Sequence, residues 1–259
     1  YTHWVSIQRD ITHRKQLEEE LLKTLEKEKE LSELKSRFVS MTSHEFRTPL
    51  STIYSSSELL EYYEHRWTRE ERLDQLHLIQ STVEHMTQLL EDILLIGQAE
   101  ADHLEFHPTP INLPQFCSEL TNHLQLSIGS NHTLAFLNQC STVRAWVDEK
   151  LLRQILTNLL SNGVKYAPEG SLIQLELTCD SEQIILRIQD QGIGIPPEDH
   201  AHLFEAFHRA KNVGTIPGTG LGLAIVKRCV EVHNGSITFQ SEVGVGTTFE
   251  VTLPLEVEP

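Results

Sequence analysis

The stretch NLLSNGVKY, residues 158–166, carries two side-chain patterns on one predicted helix. Asn158, Asn162 and Lys165 recur at steps of four and three, so a helix places them on one polar stripe. The apolar residues of the same helix form the neighbouring stripe, which we expect to face a sheet. These residues are Leu152, Ile155, Leu159 and Gly163. Amide oxygens can bind Mg²⁺ and a lysine can bind phosphate, although an exposed polar face with a chance lysine would show the same pattern.

Further strands and helices are predicted around this helix. Alternating apolar residues predict strands at about 172–178, 183–190, 236–241 and 247–253, with shorter strands near Leu134 and Val143. Helices are predicted at about 114–128, after Asp148, and between a glycine-containing loop near residue 219 and His233. Hairpin-like strand pairs mixed with three long helices predict an α/β sandwich, with the helices on one face of a mixed sheet.

Glycines follow a predicted strand in DQGIGIP, residues 190–196, and open a predicted helix in PGTGLGLAIVK, residues 217–227. Asp190 ends its strand, where the carboxylate can accept a hydrogen bond from an exocyclic amine beside glycines that admit a flat ring. The second segment offers the free amides of a helix N-terminus, which bind anions. Each motif alone is weak evidence, and GVGTTF at residues 244–249 is by itself typical of a hairpin turn.

The segment between these two motifs has the composition of a mobile lid. Phe204 and Phe207 are spaced to anchor one face of a short helix, and the cations Arg209 and Lys211 follow them. The functional interpretation is a loop that closes over phosphates.

The N-terminal half predicts two long helices with apolar seams. The first contains SHEFRTPLS, residues 43–51, where Pro49 removes a helical hydrogen bond at a cost of about 3 kcal/mol. His44 lies about 200° around the helix from the nearest seam residues, so we expect its imidazole to face away from the core. The predicted seam consists of Val39, Thr42, Phe46, Leu50, Ile53, Ser57 and Leu60.

The second helix restarts after a break at EHRW, residues 64–67, where Thr68 and Glu71 have the spacing of a capping box. Its apolar residues follow a heptad pattern at Leu76, Ile79, Val83, Met86, Leu90 and Ile93. Two such helices cannot bury both stripes as an isolated hairpin. The pattern therefore predicts a dimeric four-helix bundle.

Composition excludes several classes of protein. The net charge of −16 opposes binding to nucleic acid or anionic membranes. No run of about 18 apolar residues is present, so we predict no membrane-spanning segment in this chain. The four cysteines are scattered, which predicts buried reduced thiols in a cytoplasmic protein rather than disulfides or a zinc site. They are Cys117, Cys140, Cys179 and Cys229.

Joined in this order, the motifs of the C-terminal half resemble the ATP-binding catalytic domain of sensor histidine kinases, in the GHKL ATPase superfamily. SHEFRTPL resembles the phosphoacceptor box on the dimerisation and phosphotransfer domain of the same kinases. The likeness covers about residues 36–255. YTHWVSIQRDITHRKQLEEEL, residues 1–21, is less specifically similar to the last strand and exit helix of a PAS or LOV-type sensor domain.

The resemblance implies that His44 accepts the γ-phosphoryl group of ATP, with Glu45 as the base or orienting group. Thr48 matches the position that orients water for dephosphorylating a partner, and Pro49 matches a helix bend. The phosphoryl group would pass to an aspartate of a response regulator receiver domain. The balance between kinase, phosphatase and catalytically silent scaffold is left open, as is transfer within or between subunits.

In the ATP-binding domain, the resemblance implies that Asn162 binds Mg²⁺, with Asn158 beside it. The other implied nucleotide contacts are Lys165, Tyr166, Asp190, Gly192, Gly194, Gly218, Gly220, Leu221, Gly222 and, through solvent, Thr248. Arg209 or Lys211 would reach the γ-phosphate when the lid closes, and the resemblance does not choose between them.

The implied layout has four parts along the chain. Residues 1–12 would be the last strand of the sensor domain and residues 13–35 a coiled-coil linker with an imperfect seam, rather than a solvated single helix. Residues 36–103 would form the dimerisation and phosphotransfer domain, and residues 104–259 the catalytic domain. The expected assembly is a cytoplasmic homodimer.

Overall fold

A computed structural model of the chain describes residues 12–63, 66–100, 104–128, 131–140, 144–216 and 218–255. The sensor-domain strand expected at residues 1–12 lies outside these ranges apart from Thr12. The described residues fall into two compact units whose boundary lies between Val83 and Glu84. The domain limits proposed from the sequence stay predictions.

The N-terminal half forms the predicted helical hairpin. Helix α1 spans Thr12–Tyr62 and continues through Pro49, and helix α2 spans Arg69–Glu100. Within the described ranges, no helix has a stretch that is long and apolar enough to cross a membrane.

The capping box at the start of α2 is confirmed. The Thr68 backbone N–H donates to Glu71 Oε2 at 2.8 Å, and the Glu71 N–H donates to Thr68 Oγ1 at 3.2 Å. These reciprocal bonds satisfy two N–H groups that a helix end leaves without partners. They explain why helix α2 begins at Arg69.

The predicted seams of the two helices agree with the less exposed face at some positions and are shifted by one residue at others. The predicted positions that are half-buried are Thr42, Phe46, Ile53 and Leu60 in α1 and Ile79, Met86 and Ile93 in α2. Pro49 and Ser56 are buried in α1, whereas the predicted Leu50 is 53% exposed. In α2, Leu89 is buried and the predicted Leu90 is 49% exposed. One residue turns a helix face by about 100°, so the helices were correctly predicted and their buried face was predicted in part.

The C-terminal half has the predicted mixed sheet with helices. Its strands are β1 Thr109–Asn112, β2 Thr133–Asn138, β3 Arg144–Val147, β4 Leu172–Cys179, β5 Gln183–Gln189, β6 Ser236–Glu242 and β7 Gly246–Pro254. Its helices are α3 Leu113–Ser127, α4 Glu149–Tyr166 and α5 Gly222–Val232. The main sheet has the order β2-β4-β5-β7-β6, in which β2 and β4 are parallel and the other pairs antiparallel. Strands β1 and β3 form a separate antiparallel pair.

One face of the main sheet is apolar and the other polar. On β5, Ile184, Leu186 and Ile188 are buried, whereas Arg187 faces the opposite side. There the guanidinium contacts Glu250 at 2.7 Å and Glu176 at 3.3 Å on the two neighbouring strands. Because alternate side chains of a strand point to opposite faces, this pattern leaves one face for the helices.

Asp148 joins three parts of the C-terminal half. As the N-cap of α4, its Oδ1 accepts from the N–H groups of Lys150 and Leu151, while Oδ2 accepts from the His107 N–H at 3.0 Å. Its own N–H donates to Nε2 of His233, at the end of α5. The carboxylate of this buried residue therefore holds the entry segment to α4, and its backbone N–H links both to the end of α5.

We expect replacement of Asp148 by alanine to lower the free energy of unfolding by about 2–3 kcal/mol, because it removes a helix cap and leaves a buried N–H without an acceptor. Urea unfolding followed by circular dichroism measures the change. Glu149→Ala is the matched control, since this neighbouring carboxylate is exposed and its removal should cost under about 0.5 kcal/mol. Equal losses in the two variants would contradict the proposed role of Asp148.

The prediction of four reduced cysteines is wrong for one pair. Cys140 and Cys179 form a disulfide, whereas Cys117 and Cys229 are buried thiols, as expected. The pair is distant in sequence, but the parallel alignment of β2 with β4 brings the two residues together. Chain spacing alone did not reveal this proximity.

Candidate functional site

His44 is exposed on α1, as the seam argument predicted. Its side chain is 73% exposed, and Nδ1 lies 3.7 Å from Oε1 of Glu45. This distance exceeds that of a hydrogen bond, but it places the carboxylate on the Nδ1 side of the ring. The imidazole is therefore accessible to a reagent and has a carboxylate beside it.

Thr48 lies one helical turn after His44 and is also exposed. Its Oγ1 is 3.5 Å from the His44 carbonyl oxygen, and the Thr52 hydroxyl donates to the Thr48 carbonyl at 3.2 Å. Such bonds from a threonine hydroxyl to the carbonyl four residues earlier occur within helices and often bend them. Thr48 thus lies on the surface around His44 with its hydroxyl near the backbone.

In the C-terminal half, the polar stripe of α4 faces the glycine-containing segments. A Cβ on Gly222, at the start of α5, would lie 2.6 Å from Oδ1 of Asn158. A Cβ on Gly218 would collide with Nζ of Lys165, which also lies 4.8 Å from the centre of the Tyr166 ring. The absence of side chains at these two glycines lets the loop before α5 approach the stripe closely.

Asn162 lies between these two contacts on the same stripe and is half-buried. Within the described part of the chain, no protein hydrogen bond engages its side-chain amide, whereas the amide of Asn158 donates to the Gln154 carbonyl at 3.0 Å. The amide oxygen of Asn162 is thus available to a ligand. Mg²⁺ prefers oxygen ligands of this kind.

Asp190 lies at the end of β5, facing the last turn of α4. Oδ1 accepts from the N–H groups of Gly192 at 2.8 Å and Thr247 at 3.2 Å, which leaves Oδ2 for a further donor. Burial raises the pKa of this carboxyl, although the two backbone hydrogen bonds oppose the shift. The Ile193 N–H donates to the Tyr166 carbonyl at 3.1 Å and so fixes the loop after Asp190 against α4.

Thr247 contacts Asp190, whereas the resemblance named the neighbouring Thr248 as a nucleotide contact through solvent. Besides donating its N–H, Thr247 accepts from the Asp190 N–H at 2.9 Å, and its hydroxyl lies 2.8 Å from Oγ of Ser241. Thr248 pairs with Gln189 and, one residue further along β7, points to the opposite face of the sheet. The alternation of side chains along β7, which begins at Gly246, could have indicated that Thr247 and Thr248 lie on opposite faces.

Gly194 and Gly220 occupy backbone conformations that favour glycine. Their φ angles are 67° and 72°, and a Cβ at either position would collide with neighbouring backbone atoms. Leu221, named from the resemblance, is fully buried, so only its backbone can contact a ligand. Its N–H already donates to Oγ1 of Thr219 at 3.2 Å.

The two lid cations have different surroundings. The guanidinium of Arg209 donates to the carbonyl of Ile216 within the lid, whereas the side chain of Lys211 is exposed. The Lys211 backbone N–H donates to Oδ2 of the buried Asp199 at 3.0 Å. Asp199 was not singled out from the sequence, yet it fixes the point where the lid turns.

The lid is also attached to the loop after Asp190. Asn212 Nδ2 donates to the Gly194 carbonyl at 2.8 Å. Phe207 has a φ of 65°, which is strained for a residue with a side chain, and its N–H donates to the Gly220 carbonyl at 2.9 Å. The middle of the lid is thus held by specific bonds to both glycine segments.

Two family models match the chain. Residues 34–102 match the His Kinase A (phospho-acceptor) domain, and residues 147–257 match the histidine kinase-, DNA gyrase B-, and HSP90-like ATPase domain. The first range contains His44, and the second contains α4, Asp190 and the lid. Together the two models match more than half of the chain.

Curated relatives and solved structures agree with these matches. The circadian input-output histidine kinase CikA of Synechococcus elongatus is 34% identical over 250 residues, which cover 93% of this chain and 33% of the relative. Sensor histidine kinase WalK of Bacillus subtilis is 31% identical over 238 residues, covering 89% of this chain and 38% of WalK. The structure of full-length ShkA in complex with AMPPNP is similar with a TM-score of 0.62 and 28% identity, covering 82% of this chain and 44% of ShkA.

Proposed function

We propose that this chain, which belongs to the histidine kinases, transfers the γ-phosphoryl group of ATP to His44 and then to an aspartate of a response regulator receiver domain. The observation that carries the proposal is the convergence of Asn158, Lys165 and Asp190 on the glycine segments. The chain spans less than half the length of CikA and WalK, so the activity of the whole protein belongs to this proposal.

Asp190 is proposed to recognise the adenine. Its Oδ2 would accept from the exocyclic amine, and Gly192 and Gly194 would lie beside the flat ring. The two backbone hydrogen bonds to Oδ1 support this role of the carboxylate, because they fix its orientation. For the role that the resemblance gave to Thr248 we propose Thr247, because its backbone N–H donates to the Asp190 carboxylate. Tyr166 would flank the nucleotide.

The triphosphate is proposed to lie between α4 and the N-terminus of α5. Gly218 and Gly222 bring this segment close to Lys165 and Asn158, and the first N–H groups of α5 suit an anion. Lys165 already reaches this point and supplies a positive charge. For the γ-phosphate we propose Lys211 rather than Arg209, since Arg209 is bonded to the lid itself.

Asn162 is the proposed protein ligand of Mg²⁺, with the remaining ligands supplied by phosphates and water. The fit rests on its amide, which has no hydrogen-bond partner among the described residues. When bound, the ion would neutralise charge on the phosphates.

The transfer itself needs positioning and charge stabilisation more than covalent help from the protein. With Glu45 on the Nδ1 side, a proton on Nδ1 leaves the lone pair on Nε2 of His44. We propose that Nε2 bonds to the γ-phosphorus as the bond from phosphorus to the β–γ bridging oxygen breaks. Glu45 would stabilise the positive charge that develops on the ring.

Dimerisation is proposed to cover the exposed apolar stripe of the hairpin. Leu76, Val83 and Leu90 are spaced one heptad apart on α2 and are 46%, 47% and 49% exposed. Regularly spaced apolar residues at half exposure are typical of a helix face that packs against another copy. The four-helix bundle is the arrangement that would bury them.

A second activity, dephosphorylation of the response regulator, is favoured by Thr48. Its hydroxyl is exposed one turn from His44, where it could orient a water molecule. This reaction would use the same surface as the kinase reaction.

Three features of the wider protein are also proposed. Residues 13–35 would form a coiled-coil linker, supported by the exposed Leu17 and Leu21 on α1. Residues 1–12 would belong to a PAS or LOV-type domain, a proposal supported by resemblance alone. A cytoplasmic location would suit both ATP and a response regulator.

Incubation of the chain with Mg²⁺ and γ-labelled ATP tests the proposed function. We expect label that is lost in acid and kept in base, as for a phosphoramidate, and that moves to a receiver domain on mixing. ATP labelled at the α-phosphate is the control and should transfer nothing. Acid-stable label, or equal label from both nucleotides, would contradict the proposal.

A further inference from the structure

The disulfide between Cys140 and Cys179 continues the register of a parallel strand pair. Each residue of β2 pairs with the β4 residue 39 positions later, up to Asn138 and Leu177. The two cysteines are separated by the same 39 positions, and their Cα atoms are 4.8 Å apart, the usual spacing of neighbouring strands. The thiols are therefore brought together by the sheet itself.

The bond lies where the edge strand leaves the sheet. Among the described strands, β2 has β4 as its single neighbour, and the Gln139 N–H makes the last ladder bond of this pair within the described residues, to the Leu177 carbonyl, at 2.8 Å. Beyond Cys140 the chain continues to β3 and then to Asp148, the cap of α4. The disulfide thus anchors the end of an edge strand that has a single line of hydrogen bonds.

The closed segment contains much of the proposed nucleotide site. Residues 140–179 include β3, α4 and β4, and therefore Asn158, Asn162 and Lys165. A cross-link reduces the freedom of the unfolded segment and so favours the folded state. The redox state of one pair can thereby change the stability of the nucleotide-binding half.

Only this pair is suited to thiol exchange. Cys179 is half-buried and so reachable by a small reagent, whereas Cys117 and Cys229 are fully buried; Cys140 is also buried but is reached through its bond to Cys179. Burial raises the pKa of both Cys117 and Cys229 to about 12, so their thiols stay protonated and unreactive at neutral pH.

We propose that Cys140 and Cys179 form a redox-responsive pair, whose disulfide is made and broken by exchange with small thiols and disulfides and sets the stability of the nucleotide-binding half. Stable disulfides are rare in the reducing cytoplasm, where those that form are mostly transient or redox-sensing. The inference goes beyond kinase activity, because the exchange and its effect on unfolding are measurable whether or not His44 is phosphorylated.

Oxidised glutathione can act as the oxidant that forms this disulfide in two exchange steps. The thiolate of Cys179 attacks one glutathione sulfur and releases one glutathione thiolate, which leaves a mixed disulfide on Cys179. The thiolate of Cys140 then attacks Sγ of Cys179 and expels the second glutathione thiolate. Two cysteine thiols are oxidised, one glutathione disulfide is reduced, and the two protons pass to the released thiolates.

The test equilibrates the whole chain in buffers with increasing ratios of oxidised to reduced glutathione. After acid quenching, the protein is alkylated under denaturing conditions and its thiols are counted by mass spectrometry. We expect two of the four cysteines to become protected, in the peptides containing Cys140 and Cys179. The urea midpoint of the oxidised protein should rise by about 1 M.

Two variants serve as controls. The double variant with Cys140→Ser and Cys179→Ser should have the same urea midpoint in every buffer. The Cys229→Ala variant should show the same rise in urea midpoint on oxidation as the wild type. If the double variant does not fold, the difference in urea midpoint between oxidised and reduced wild type still tests the proposal. Four alkylated cysteines in oxidised glutathione would overturn the proposal, and so would a disulfide that forms without moving the midpoint.

Discussion

Replacing Asp190 with asparagine is expected to lower the affinity for ATP by about 100-fold, because an amide replaces a charged acceptor of hydrogen bonds. The carboxylate accepts from Gly192 and Thr247 through one oxygen and presents the other to the adenine amine. An asparagine can keep only one of these two acceptor roles, since its NH₂ group donates. Isothermal titration with a non-hydrolysable ATP analogue and Mg²⁺ measures the loss.

Asp180→Asn is the matched control for this experiment. Asp180 is an exposed carboxylate that also accepts two backbone N–H bonds, from Glu182 and Gln183, but in the turn between β4 and β5. Its replacement should leave ATP affinity unchanged. If Asp190→Asn bound ATP within about threefold of the wild type while remaining folded, Asp190 would not be the residue that recognises adenine.

The pH dependence of binding gives a second test of the same carboxylate. Burial raises the pKa of Asp190, so the group takes up a proton at a higher pH than an ordinary aspartate. A protonated carboxyl presents a donor to the amine of adenine. As the pH is lowered, ATP affinity in the wild type should therefore begin to fall at a higher pH than the pKa of an ordinary aspartate would give, and the Asn variant should lack this dependence.

Replacing His44 with glutamine is expected to abolish acid-labile phosphorylation and leave ATP affinity unchanged. Glutamine keeps a polar side chain on the helix surface but has no nucleophilic ring nitrogen to form the phosphoramidate. His44 is largely exposed, so the change should not unfold α1. The label from γ-labelled ATP and the affinity for an ATP analogue are measured on the same preparation.

His77→Gln provides the control for loss of a histidine. This residue is exposed on α2, and its replacement should leave the label at the wild-type level. Acid-labile label that survived in His44→Gln but disappeared in another histidine variant would move the phosphoacceptor to that position. Label lost in both variants would point to damage of the bundle rather than to chemistry at one residue.

Much of the secondary structure could be predicted because its causes are local. The capping box at Thr68 and Glu71 and the N-cap at Asp148 use side chains within three residues of the helix start. The alternation around Leu186 in β5 reflects the two faces of a single strand. These signals depend on neighbours in the chain, so the order and approximate limits of the elements followed from them.

The contacts of the lid could not be predicted from local sequence patterns. Its two phenylalanines and its cations were visible in the sequence, but the bond from Arg209 to Ile216 depends on how the loop folds back. The same holds for Asp199, whose carboxylate is buried by the lid and binds the Lys211 N–H. An aspartate in a loop is normally exposed, so no local pattern indicated that Asp199 is buried.

By itself the sequence determined the helices, the strands and the stripe of α4, since these follow from periodicity and from capping within a few residues. Tertiary structure decided which side chains meet. Thr247 rather than Thr248 contacts Asp190 because a shift of one residue on a strand exchanges the two faces of the sheet. Cys140 meets Cys179 because β2 and β4 align with an offset of 39 residues. Contacts of this kind are set by the alignment of distant segments, which no local pattern records.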